Sequence, residues 1–122
     1  MSKETLEKVG STKVEPVNKE FNLEYFNLKK SSSSAEIEAA LPEKHLFELS
    51  EVYSVIGGLM SKQANGEEGP LLNSGDWNIF YTEKFCVSVH WHADYGLWRV
   101  YTWPRDGGWR GDDRVFSPGL EN

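Results

Sequence analysis

Residues 43–63, EKHLFELSEVYSVIGGLMSKQ, place Leu46, Leu49, Tyr53, Ile56 and Met60 at intervals of three and four, the spacing that lines one face of a helix. Phe47, Val52, Val55 and Leu59 widen that face, and Glu43, Glu48 and Glu51 mark the side left to water. Pro42 suits a first turn, and Gly57-Gly58 is a place for the helix to end or bend. The polar stretch 61–76, SKQANGEEGPLLNSGD, reads as a loop. From Trp77 the period changes to two: WNIFYT, FCVSVHWHA and LWRVYTW read as strands. A shorter fourth strand near DRVFS follows the loop PRDGGWRG. A helix followed by strands with short connections predicts an α+β fold, with one main helix packed on a three- to four-stranded antiparallel meander.

Facing residues in an antiparallel pair lie on the same side of the sheet, so the turns fix which side chains collect together. A two-residue turn at Glu83-Lys84 pairs Phe80 with Val87, Asn78 with Val89 and Tyr81 with Cys86. A turn centred on Tyr95-Gly96 pairs Trp91 with Val100, His90 with Tyr101 and His92 with Arg99. One face then gathers Phe80, Phe85, Val87, Val89, Trp91, Trp98 and Val100, which the helix should cover, with Trp91 and Val89 against Tyr53 and Ile56. The opposite face gathers Trp77, Tyr81, Ser88, His90, His92, Arg99, Tyr101 and Trp103. Aromatic and polar groups mixed in this way suit a recognition surface.

Ahead of the helix the pattern is weaker. Residues 1–41 read as a mostly disordered tail and linker, and 42–122 as a single domain. Residues 1–19 are polar and without a sustained period. In 20–28, EFNLEYFNL, Phe21, Leu23 and Tyr25 alternate, which fits a short strand or a docking segment. The serine run 31–34 has the composition of a linker, yet Ser33 stands three residues before Glu36, the spacing of a capping box. A short helix over about 34–40 is expected, stopped by Pro42 through its restriction on Leu41.

Composition adds to this picture mainly through charge and aromatics. The chain has 122 residues, 39% hydrophobic and 26% charged, within the range of one globular domain. Five Trp, five Tyr and six Phe are many for this length. The net charge is −6. Residues 1–41 hold six Lys against seven Glu, and 42–122 hold seven Lys and Arg against twelve Asp and Glu, so the acidity lies in the expected domain. Nucleic-acid binding, which draws on phosphate neutralisation, is not expected. Arg99, Arg105, Arg110 and Arg114 do lie among Trp98, Trp103 and Trp109, but Asp106, Asp112 and Asp113 nearly cancel their charge. One cysteine, Cys86, allows no internal disulfide and fits a reducing compartment. With no apolar run of signal-peptide type and none long enough for a membrane span, a cytoplasmic protein without membrane contact is expected.

His90-Trp91-His92-Ala93-Asp94 has the H-x-H-x-D shape found in the metal motif of metallo-β-lactamase-type hydrolases. Tyr95 stands where that motif has a third histidine, no histidine follows His92, and the chain is too short for that fold. The resemblance therefore does not extend to the family. His90 and His92 point the same way on a strand, but His45, the remaining histidine, belongs to the helix expected on the other face. No metal, no cofactor and no catalytic residue is expected. Cys86 lies about 13 Å along the strand from His90, too far for a nucleophile–base pair, and no orienting acid completes a triad. Arg110-Gly111-Asp112 spells a cell-adhesion tripeptide, which chance explains in a chain without a secretion signal.

The sequence thus points to a non-catalytic protein-interaction module, an accessory, inhibitor or immunity-type small protein. Its partner is another protein, met through Trp77, Tyr81, His90, His92, Arg99, Tyr101, Trp103 and Arg110. The alternative is a small-ligand or metal-binding protein, an enzyme among the options, using His90, His92 and Arg99.

Overall fold

The computed structural model describes residues 14–16 and 23–118. Its elements in order are β1 (Val14–Pro16), β2 (Leu23–Leu28), β3 (Ser32–Ser33), α1 (Ser34–Ala40), α2 (Val52–Lys62), β4 (Asn78–Tyr81), β5 (Cys86–His92), β6 (Leu97–Trp103), β7 (Gly108–Trp109) and β8 (Arg114–Pro118). Six strands form one sheet in the order β1-β2-β8-β4-β5-β6, and β3 pairs with β7 in a separate two-stranded ladder. The α+β class is as expected. The arrangement of one main helix on an antiparallel meander is not: β8 returns to lie between β2 and β4, and runs parallel to β4. The chain leaving β6 has to cross back over the sheet to reach that position, and it carries β7 with it. Among the described residues no helix is long and apolar enough to cross a membrane.

Both faces of the sheet are buried over its centre. On one side Val52, Ile56 and Leu59 of α2 pack on Phe80, Val87, Val89, Phe116, Leu23 and Tyr25. On the other, Ile37 and Ala40 of α1, with Leu41, pack on Ile79, Tyr81, Cys86, Val115, Phe26 and Leu28. Alternation sends successive side chains of β4 and β8 into opposite cores, as a two-sided central strand requires. Residues 23–41, expected as tail and linker, therefore supply a strand, a helix and half of one core. Residues 14–16, within the stretch expected to be disordered, form β1 against β2, with Val14 opposite Leu28. The rest of that stretch, and Phe21, lie outside the described residues.

α1 forms as its sequence predicts. Ser33 is the N-cap and accepts from the Glu36 backbone N–H, while the Glu36 carboxylate accepts from the Ser33 N–H. Leu41 leaves the helix in an extended conformation ahead of Pro42. α2 is shorter than its periodicity predicts. Leu46 and Leu49 remain 36% and 37% exposed, and Tyr53 points outward to bond Thr102 at 2.8 Å. Segment 43–51 is held instead by Phe47, whose N–H donates to the Tyr81 carbonyl and whose ring stands edge-on to Phe80. A helical repeat survives in the sequence there, but this anchoring draws the backbone toward the sheet margin. Gly57 and Gly58 lie inside α2 and do not end it.

The first hairpin has the expected register, with Phe80 opposite Val87 and Tyr81 opposite Cys86. The second is shifted by two residues: His90 faces Arg99, Trp91 faces Trp98 and Ser88 faces Tyr101. The connection is the four-residue turn Ala93-Asp94-Tyr95-Gly96, in which Gly96 alone takes a left-handed conformation (φ 62°). A two-residue turn of type I′ would have forced Tyr95 into that region, which a bulky side chain resists. A shift of two keeps every residue on its expected face. Trp91 does not reach Tyr53 or Ile56; it lies half-buried against Trp98 (centroids 5.2 Å) and over Gly66. A Cβ on Gly66 would come within 2.4 Å of that indole, so only glycine fits there.

α1 is tied by charge to the connection between β6 and β7. Glu38 accepts from Arg105 through both guanidinium nitrogens Nε and Nη2 and from His45 Nε2 at 2.7 Å. Burial pushes the Glu38 carboxyl up, but the hydrogen bonds from His45 and Arg105 and the Arg105 charge outweigh it and hold the carboxyl below its ordinary value. A group whose folded pKa is depressed stabilises above its unfolded value and loses that contribution as pH falls through the folded one. The native protein should thus lose stability on acidification below about pH 4.3, and Glu38→Gln should flatten that slope. Urea midpoints at several acidic pH values measure it; parallel slopes would show that Glu38 is not the group responsible.

Candidate functional site

The sheet face that carries α1 is covered over β2, β8, β4 and the first residues of β5, and opens from His90 onward and over β6. At the boundary stands a group of indoles. Trp77 precedes β4, Trp103 ends β6 and Trp109 sits in β7, and each pair of rings meets steeply. Trp77 to Trp103 is 6.3 Å at 86°, Trp77 to Trp109 is 6.3 Å at 61°, and Trp103 to Trp109 is 6.4 Å at 82°. They line a cleft of about 390 Å³ together with Pro104, Asp106, Gly107, Gly108, Arg110, Asp113 and Ser34. That volume is in the range of small-ligand sites.

Local chemistry fixes each wall. Trp77 is held by its backbone N–H, which donates to Asp113 Oδ1 at 2.9 Å; Asp113 Oδ2 accepts from the Arg110 N–H at 2.9 Å. Burial pushes the Asp113 carboxyl up, against the pull of those two donors. Trp103 donates from Nε1 to the buried Ser88 hydroxyl at 2.6 Å. Trp109 is carried by the β3–β7 ladder, opposite Ser32. Gly108 in that ladder passes so close to the Ser32 carbonyl that a Cβ would stand 3.1 Å from it. The Ser34 N–H donates to the Gly107 carbonyl at 2.7 Å, so the start of α1 positions the third wall.

The face continues from Trp77. His90 lies 4.2 Å from Trp77 between ring centroids, and Tyr101 contacts Trp77, His90 and Trp103 at 5.6, 6.0 and 5.7 Å. Burial holds the His90 pKa below its ordinary value, with the neighbouring His92 and Arg99 adding to the effect, so the ring is neutral at neutral pH. A second group lies at the hairpin end. His92 stacks on Tyr95 at 4.8 Å, Arg99 stands 5.5 Å over the same ring, and Arg99 donates to the Tyr101 hydroxyl at 3.4 Å.

Of the residues that the sequence singled out, Trp77, His90, Tyr101 and Trp103 are contiguous, Arg110 lies on the cleft rim, and His92 and Arg99 form the adjoining group. Tyr81 is not part of the surface. It is fully buried under α1, its hydroxyl 2.8 Å from Ser34 Oγ, and burial raises its pKa well above the ordinary phenol value. The helix that excludes it was not expected on this face. Trp109 was missed as a site residue, because a tryptophan in a glycine-rich loop shows no period, and its pairing with the serine run has no sequence signature.

For metal, the His90 and His92 rings are 5.9 Å apart between centroids, and no group of three His, Cys, Asp or Glu suited to a metal ion occurs among the described residues. His45 is engaged by Glu38 and the Pro42 carbonyl. Cys86 is buried, and burial, together with the Glu38 charge, pushes its thiol up to about 11. It is a protonated core side chain at neutral pH, its sulfur 3.6 Å from the Pro104 carbonyl. Compared with known proteins, the chain matches no family, no curated protein and no solved structure.

Proposed function

We propose that the protein is a non-catalytic interaction module that binds a partner protein through the aromatic face centred on Trp77, Trp103 and Trp109. An accessory, inhibitor or immunity-type role would fit such a face. The observation that carries this reading is the indole-lined cleft, contiguous with His90 and Tyr101, beside a sheet centre whose Phe80, Tyr81 and Phe116 are fully enclosed. Trp103 is 40% exposed although it is large and lies on a sheet face. Grouped, partly exposed aromatics of this kind act as anchors in interfaces.

Stability and binding should separate at Trp103. Trp103→Ala removes a partly exposed ring and leaves the Ser88 hydroxyl without its donor, a loss of about 1–2 kcal/mol in folding free energy. Partner affinity should fall by about 1–4 kcal/mol, as at a central anchor. Denaturant unfolding and affinity for the captured partner are measured on the same variant. A stability loss equal to that of a core phenylalanine would make Trp103 a structural residue.

A further inference from the structure

We propose that the cleft between Trp77, Trp103 and Trp109 receives a quaternary ammonium group, a trimethylated nitrogen on an alkyl chain. This deepens the reading of the aromatic face as a binding surface and rests on it. The three ring centroids form a nearly equilateral triangle, with sides of 6.3, 6.3 and 6.4 Å. Its centre is about 3.6 Å from each centroid, so a cation on its axis up to about 4–5 Å out of plane stays within the roughly 6 Å reach of all three rings. Three walls inclined steeply to one another surround a compact, near-spherical group better than a flat one.

The hydrogen-bond inventory selects the kind of cation. A primary ammonium brings three N–H donors, each needing an acceptor when water is removed. Several acceptors on its lining are already engaged, and the Asp106 carboxylate, which also lines it, supplies a counter-charge. Indole N–H groups only donate. Asp113 already accepts from two backbone N–H groups, the Ser34 hydroxyl is engaged with Tyr81, and the Gly107 carbonyl accepts from Ser34. A trimethylated nitrogen carries its charge on methyl groups and asks for no acceptor. Its size is that of a tert-butyl group, which an aromatic cleft accommodates. The wider field also favours a cation: Asp76, Asp106, Asp112 and Asp113 cluster about this end of the sheet with Arg110, on a chain of net charge −6. His90, which backs Trp77, carries no charge at neutral pH to oppose it.

The trimethylated nitrogen has two chemical sources, a modified lysine side chain on the partner protein or a choline-type group. Titration of the full chain, followed by the indole N–H resonances of its tryptophans, separates them. The probes are choline, a trimethyllysine peptide, the same peptide unmodified, and the uncharged analogue of choline with carbon in place of nitrogen. Choline and the trimethyllysine peptide should shift the Trp103 and Trp109 indole resonances saturably. The uncharged analogue and unmodified peptide should bind at least about tenfold more weakly. Trp103→Ala should weaken binding about two- to thirtyfold, the range of one cation–π contact, and Trp103→Phe less, which guards against a merely unfolded variant. Tighter binding of the peptide than of choline assigns the group to a partner protein; equal binding assigns it to a choline-type ligand. Equal binding of the uncharged analogue or the unmodified peptide, or no saturable shift with any probe, overturns the proposal. If the probes fail while partner capture is still lost in Trp103→Ala, the cation site falls and the interaction surface stands; if capture is also unaffected, both fall.

Discussion

Phe80→Ala should destabilise the protein by about 3–5 kcal/mol, the cost of removing a fully enclosed aromatic ring from a core that cannot close around the gap. Phe80 is completely buried and stacks on Phe116 at 4.6 Å with the rings 11° apart. Phe47 meets it edge-on from the segment ahead of α2. The stacked pair joins β4 to β8, the two parallel strands at the centre of the sheet, so the void would open where both halves of the fold meet. Equilibrium urea unfolding measures the loss. A change below about 1 kcal/mol would mean that β8 does not lie beside β4.

Ile37→Ala is the second large effect, about 2–5 kcal/mol. Ile37 is fully buried in α1, packed with Ala40 and Leu41 over Ile79, Tyr81 and Val115. A seven-residue helix has little stability of its own. Its capping box fixes the first turn, and burial of Ile37 supplies most of what holds it on the sheet. Because α1 also carries Ser34, whose N–H holds the Gly107 carbonyl, its release should loosen the β7 wall of the cleft as well. Urea unfolding gives the energy, and the Trp109 indole N–H resonance in the native state reports the loosening. A near-neutral Ile37→Ala would restore the reading of residues 23–41 as an appendage.

Local features of this fold were legible in the sequence and long-range ones were not. The capping box at Ser33 and Glu36 with the stop before Pro42 located α1, because caps are set by neighbours within a few residues. Period-two alternation located β4, β5 and β6, and the Glu83-Lys84 turn fixed their first register. The second register differs by two from the expected one because Gly96 closes a four-residue turn, whereas Tyr95-Gly96 alone predicts a two-residue one. The faces survived the slip because side chains on a strand alternate with a period of two. The placement of β8 was hidden: Val115 and Phe116 read as a short strand in either topology, and nothing near them specifies a partner dozens of residues away.

The candidate site was half legible for the same reason. Trp77, His90, Tyr101 and Trp103 follow from alternation and register, and the structure brings them together. Tyr81 obeys the same alternation yet is enclosed, since which stretch of a sheet face a helix covers is a tertiary fact. Trp109 reaches the site only through the β3–β7 ladder, two residues long on each side. Leu46 and Leu49 show the converse error: an apolar repeat promised burial, but Phe47 took the one route into the core.

On the proposed function, the indole-lined face binds a partner protein. Quantitative capture from the native host compares the full-length protein, Trp103→Ala and, as a control, Leu46→Ala, an exposed apolar change in the segment ahead of α2. The expected result is a protein recovered equally by wild type and Leu46→Ala and reduced at least about tenfold with Trp103→Ala, while Trp103→Ala remains folded. Equal recovery by all three, or loss only when Trp103→Ala has unfolded, would contradict it.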